Sequence, residues 1–199
     1  MEELRNLFSP LCEKSKATKK SKLLAENHAH ALALELCSVS TFSPGTVSNQ
    51  EIVARQIFSP IHLDEEDNTI KAAAFDDVSN KGLSVNRLSY TNEETIHSTG
   101  QAKASNDNNY AINNGQPSKA NRSYIGYIVA NVAEIRNYQD ENHRIYAVYD
   151  SSLELAIEHA DVCMIKHDTI NPNGSKWVKM FRRKKLQEMF SELVVPSIN

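Results

Sequence analysis

Arg55 lies inside the apolar run IVARQIF, residues 52–58. A guanidinium set among buried side chains is costly unless it is paired. Two uses fit it: a bidentate grip on a phosphate or carboxylate, or a structural bond to a carboxylate or to solvent. Strand alternation sets Ile52, Ala54, Gln56 and Phe58 on one face and Val53, Arg55 and Ile57 on the other. Ser84 sits in a second short apolar run, and Glu154, Glu158 and His159 in a third. The carboxylates beside His159 could orient an imidazole for proton transfer, but His143, His159 and His167 fit no metal-binding spacing. The expected role of His159 is therefore structural, capping a strand or bonding a main-chain carbonyl. His28 and His30, two residues apart on a helix, point to different sides. The acidic run Asp64–Asn68 lacks the glycine of a calcium loop and reads as a solvated turn. No metal site is expected.

A second kind of chemistry gathers near the end of the chain. Lys179, Arg182, Arg183, Lys184 and Lys185 crowd one helical stretch, while Val178, Phe181, Leu186, Met189, Phe190 and Leu193 give it apolar spacing. Such a helix can dock on the core with its charges in water, bind a partner protein or acidic groove, or touch nucleic-acid phosphates together with the basic run Lys14–Lys22. Glu188 and Glu192 weigh against a membrane surface.

These groups need elements to position them. The 199 residues carry 40% hydrophobic and 24% charged side chains, enough for one sizeable core. A net charge of -3 speaks against a whole-protein polyanion binder. Cys12, Cys37 and Cys163 form no CxxC, and Cys163 lies in an apolar run that suits an inert thiol. With no export signal at Met1 and no apolar run near the span of a bilayer, a cytoplasmic protein without membrane insertion is expected. No P-loop, dinucleotide fingerprint, serine-hydrolase elbow or zinc motif occurs.

Along the chain, residues 1–48 read as a helical N-terminal arm: Leu4, Leu7, Phe8 and Leu11 form a short apolar face, and Leu23–Cys37 is an Ala/Leu-rich helix. Residues 49–199 read as the core domain, with strands near 52–58, 69–75, 83–88, 124–135, 144–149 and 160–166. Thr91-Asn92-Glu93-Glu94 reads as a cap opening a short helix, and residues 100–121, rich in Asn, Ser and Gly, read as a polar loop or insertion. Residues 153–165 are expected to begin helical and end as a strand, and the basic helix is placed at 176–193, capped by Ser175. The fold class is thus α+β: a small, mostly antiparallel sheet with flanking N-terminal and C-terminal helices.

The segments Arg55–Pro60 (R-x-I-x-x-P), Ala73–Phe75 (AAF), Leu83–Val85 (LSV) and Glu158–Val162 (EHADV) resemble a family of small uncharacterised bacterial proteins, over about Ile52–Ile165. That resemblance implies organisation and no activity. The order Arg55, Ser84, then Glu154 or Glu158 also resembles ADP-ribosyltransferase-type folds, including RES-type toxins that consume NAD. This second likeness implies Arg55 on the NAD phosphates, Ser84 ordering the site, and a glutamate stabilising an oxocarbenium-like transition state. The Gly-rich and aromatic elements of that pattern are missing between them.

No catalytic constellation assembles from the residues alone. The expectation is a non-enzymatic binding or interaction module without a cofactor, acting through its terminal amphipathic and basic helices on a protein partner or a second copy. Two alternatives stay open: an NAD-consuming or ADP-ribosyl-transferring enzyme built on Arg55, Ser84 and Glu154 or Glu158, and nucleic-acid binding through the C-terminal helix.

Overall fold

A computed structural model describes residues 3, 5–6, 8, 20–165 and 176–196. Its centre is one antiparallel sheet in the order β5-β1-β4-β9-β8, built from β1 (Ile52–Ser59), β4 (Leu83–Arg87), β5 (Ser123–Asn131), β8 (Tyr146–Asp150) and β9 (His159–Met164). Two small hairpins, β2 (Leu63–Asp64) with β3 (Thr69–Ile70) and β6 (Gln139–Asp140) with β7 (His143–Arg144), stand outside it. The architecture is α+β, with helices on both sheet faces.

One face of the sheet carries the main core. Val53, Ile57, Val85, Ile128, Val148 and Val162 project there and pack against Phe75 and Val78 of a 3-10 helix, Ala72–Ser79. The same core takes Val132 and Ile135 of α4 (Val132–Asn137) and Leu186 of α5 (Lys176–Glu188), followed by Phe190. The opposite face is covered in two separate places. Toward β8, α1 (Lys20–Glu26) and α2 (His28–Leu34) bury Leu24, Ala31 and Leu34 against Ala147, Tyr149 and Cys163. Toward β5, α3 (Glu93–Asn113) lays Ile96 on Ala54 and Tyr127. The strip between these covers is where the cleft opens.

Several elements depart from the sequence-based expectation. The segment 100–121 is helical through Asn113. Asn92 accepts the Thr95 amide at 2.8 Å, Glu93 and Glu94 occupy the first turn, and Ile96, Gly100, Ala104 and Ala111 supply a narrow inner stripe. A Cβ at Gly100 would collide with the Tyr124 ring, so the glycine lets the helix lie close to β5. The expected strand at 69–75 ends after Ile70. Three alanines with no β preference follow, and Phe75 and Val78, three residues apart, bury one side of the 3-10 helix. The expected strand at 124–135 stops at Asn131, whose side chain accepts the Ala133 amide at 2.8 Å and starts α4. Residues 151–158 form a turn with a Leu153–Ala156 bridge instead of a helix. The C-terminal helix ends at Glu188, and the chain beyond it pairs Val194 with Tyr127. The apolar positions Leu4, Leu7 and Leu11, the basic residues 14–19, His167 and the Ser175 cap lie outside the described residues.

Both outer strands are covered. Val194 and Tyr127 exchange main-chain hydrogen bonds at 2.8 and 3.0 Å on the β5 side. On the β8 side, the Glu35 carboxylate accepts the Val148 amide at 2.6 Å while gripping Arg136 and Arg144. Blocking both edges removes a template for uncontrolled strand addition.

Candidate functional site

The sheet is nearly divided in two. β1 and β4 pair only at Val53–Arg87 and Ala54–Asn86. Beyond that point β1 continues along β5 as far as Ser59, and β4 continues along β9 as far as Leu83. The strands separate into a fork, and Arg55 occupies it. Its Nη1 donates to the Ser84 carbonyl at 3.0 Å, a ladder acceptor left free by the fork, and its Nη2 donates to the Ala74 carbonyl at 3.3 Å. The Nε is buried without a partner, and no carboxylate forms an ion pair with Arg55 among the described residues. Burial pulls the guanidinium down to about 10, against the attraction of Asp77 and Asp161, so it remains charged at neutral pH.

The fork opens into a cleft of about 540 Å³. Lys20, Lys81, Lys103 and Arg122 surround Arg55, with Asp77, Asp107 and Asp161 among them, an excess of two positive charges. Each of the other four cations has an acid. Lys20 meets Asp161 at 2.6 Å, Lys81 meets Asp77 at 3.3 Å, Lys103 meets Asp107 at 3.8 Å, and Arg122 shares that same Asp107. Gly82, at φ +90°, packs against the Asp161 side chain and turns the chain into β4. Phe58, Ile61, His62 and Leu153 also line the cleft, and the Ser84 side chain is exposed there.

Two histidines line the cleft in different states. His62 Nδ1 faces the Phe58 amide at 3.3 Å and must accept there. Burial, with Arg55 and Arg122 nearby, pulls its pKa down to about 3 against a hydrogen bond to the Gln56 main chain that raises it, so the ring is neutral. His159 Nδ1 lies 2.9 Å from the Ser151 carbonyl, which can only accept, so that nitrogen carries a proton. Behind it, burial pushes the Asp161 carboxyl up. His159, Lys20 and a hydrogen bond from Ser151 outweigh burial and hold it below the usual range.

The sequence-derived candidates separate. Arg55 and Ser84 share the cleft, joined through the Ser84 carbonyl. Glu154 and Glu158 are not among its lining residues: Glu154 is exposed in the 151–158 turn, and the Glu158 carbonyl accepts the Arg87 amide at 2.7 Å. His159, expected to cap a strand or bond a main-chain carbonyl, lies 2.9 Å from the Ser151 carbonyl and also reaches the cleft. On α5, Arg182 is buried and paired with Asp140 at 2.8 Å, and Arg183 pairs with Asp76 at 2.6 Å. Lys185 pairs with Glu188 at 2.8 Å, while Lys179 and Lys184 form no ion pair among the described residues. The outward side of that helix exposes Trp177 by 73% and Phe181 by 53%, an apolar surface amid the lysines.

Sequence reasoning missed His62, Lys81, Lys103 and Arg122. Lys103 and Arg122 fall in or beside the stretch read as a polar loop, and only the α3 stripe of Ile96, Gly100 and Ala104 could have shown that Lys103 is held over the sheet. No protein-family model, curated protein or solved structure matches this chain.

Proposed function

We propose that the protein is a binding module whose cleft takes a phosphate-bearing small molecule, with Arg55 as the anchor. The observation that carries this reading is the state of Arg55: charged, half-buried and, among the described residues, without a carboxylate ion pair and bonded to main-chain carbonyls, while every other cation of the cleft has an acid. A desolvated guanidinium with donor capacity to spare gains most from a bidentate oxyanion. The excess positive charge of the cleft favours the same class of ligand.

The test is a calorimetric titration with inorganic pyrophosphate. Arg55→Met should weaken binding by about 10- to 100-fold, the range for losing hydrogen bonds to a charged group. Lys81→Met, which removes a cation already paired with Asp77, should weaken it by less than about threefold. Equal affinity of the Arg55→Met and unchanged proteins would remove Arg55 from the site.

A second reading, NAD consumption or ADP-ribosyl transfer, is favoured by Arg55 and Ser84 sharing one cleft. It needs a carboxylate from Glu154 or Glu158 at the reacting carbon. Release of nicotinamide from NAD, abolished by Glu154→Gln or Glu158→Gln with folding intact, would support it; no release from the unchanged protein would end it. A third reading, partner binding through the terminal helices, is favoured by the exposed Trp177 and Phe181 on α5.

A further inference from the structure

We propose that copies of this chain associate head to tail, the 151–158 turn of one copy seated on the outward side of α5 of the next. This inference rests on the reading of α5 as an interaction surface and names what covers it. It is independent of the cleft. Both elements present exposed apolar side chains, and the charges around them are opposite.

On α5, Trp177, Met180 and Phe181 follow i, i+3, i+4 spacing, share one side of the helix and are all exposed. Arg182 and Leu186 hold the opposite side in the protein. Lys184, one turn beyond Met180, continues the outward side; it is exposed and forms no ion pair among the described residues. Lys185 Nζ lies 5.7 Å from the centre of the Phe181 ring. Glu188, the acid at the far end of that side, is taken up by Lys185. The helix thus turns a basic apolar stripe to solvent.

The 151–158 turn is its complement. Leu153 and Ala156 exchange main-chain hydrogen bonds, both at 3.0 Å, which leaves Glu154 and Leu155 at the tip. Ser152 Oγ donates to the Ile157 carbonyl at 2.6 Å, and the Ala156 carbonyl accepts the His159 amide at 3.1 Å, so the tip is braced from its base. Tight turns favour Gly, Asn or Asp. Here the tip carries Leu155, 98% exposed, with exposed Ile157 two residues on. Glu154 and Glu158 flank them and form no ion pair among the described residues. A braced projection loses little freedom on docking, and its glutamates match the lysines of the stripe. An α5–α5 contact would instead gather lysines from both copies with the Glu188 carboxylate already engaged.

Each copy offers one tip and one stripe, so association does not stop at a pair. The contact is small, and its Kd is expected on the order of tens of micromolar. In sedimentation of the full chain up to about 300 µM, enough to populate such a contact, the average mass should climb past that of a dimer. Leu155→Ser alone, and Trp177→Ser with Phe181→Ser, all at exposed positions, should each weaken association about tenfold or more with folding unchanged. Mixing these two proteins should restore one contact, the intact tip of one on the intact stripe of the other, as a mixed dimer that grows no further. If Leu155→Ser associates like the unchanged protein while the α5 double substitution does not, the head-to-tail contact is overturned and the α5 surface stands. If neither substitution alters association, both fall. If the mixture stays monomeric while the unchanged protein associates, the tip and the stripe are not partners. If the unchanged protein is monomeric throughout, association between copies is overturned and α5 is left to a different partner.

Discussion

Arg55 exchanges solvent for two main-chain carbonyls and keeps its charge, so its contribution to folding should be small and, under the proposed function, its contribution to binding large. Arg55→Met removes a desolvated charge and leaves the Ser84 and Ala74 carbonyls beside an open cleft. Stability should therefore stay within about 1 kcal/mol in urea unfolding while pyrophosphate binding is lost. Arg87 is the opposite case. Fully buried, it is held by the Glu51 carboxylate at 2.7 and 2.8 Å and by the Gly45 and Thr46 carbonyls, and its guanidinium lies over the Tyr90 ring. Arg87→Ala strands Glu51 and should cost about 3–5 kcal/mol, with no ligand needed to see it. His62 adds a pH signature. Unfolded, it takes up a proton below about 6.5; folded, it stays neutral down to about 3. The unfolded state binds more protons across that interval, so stability falls as pH drops through it. His62→Gln should flatten the loss between pH 6.5 and about 4.5. The remaining acid loss lies lower. Burial raises the Glu51 and Asp161 carboxyls, but Arg87 and Ser48 at Glu51, and His159 and Lys20 at Asp161, depress them overall, so their stabilisation disappears only in stronger acid.

At the scale of elements, the cleft depends on two covers that leave a strip of sheet bare. α3 comes close enough to β5 only because residue 100 has no side chain. Gly100→Val would set a branched group into the Tyr124 ring and should cost about 1–3 kcal/mol by overpacking, although it raises helix propensity. Weaker pyrophosphate binding should accompany it, because Lys103 and Asp107 shift with the helix. The stretch around Gly100 is also where the sequence was least legible. Alternation in β1, the LSV run of β4 and the apolar runs of β8 and β9 announced themselves because each buries an ordinary aliphatic stripe. The buried positions of α3 are Ile96, Gly100, Ala104 and Ala111, and its other faces are polar, so it has the composition of a loop. Helix formation there follows from packing against a sheet, which local propensity cannot report. The cleft was half legible for the same reason. Arg55 stood out as a charge in an apolar run, while its partners arrive from 3-10 helix, turn and α3 positions that only the fork between β1 and β4 brings together.

At the scale of the whole molecule, the chain ends are parts of the core. α1 and α2 cover Ala147, Tyr149 and Cys163, Phe8 sits 4.9 Å from the Tyr149 ring, and Lys20 neutralises the buried Asp161. Leu186 and Phe190 close the other face, and the Tyr146 hydroxyl donates to the Arg182 carbonyl at 2.7 Å. Deleting residues 1–48 exposes several large apolar side chains and leaves Asp161 without its ammonium. That loss rivals the roughly 5–15 kcal/mol of stability a domain of this kind has in total. The truncated chain should lose cooperative unfolding and bind a hydrophobic dye. Lost partner capture after such a deletion would then report unfolding, so the interaction reading has to be tested on the outward side of α5. Trp177→Ser with Phe181→Ser removes exposed apolar surface and should shift unfolding free energy by no more than about 0.5 kcal/mol. Pyrophosphate binding in the cleft, which neither residue lines, should be unchanged. If sedimentation shows a dimer of the unchanged protein that this double substitution converts to monomer, the α5 face joins copies of the chain. If the oligomeric state does not move, self-association through that face is excluded.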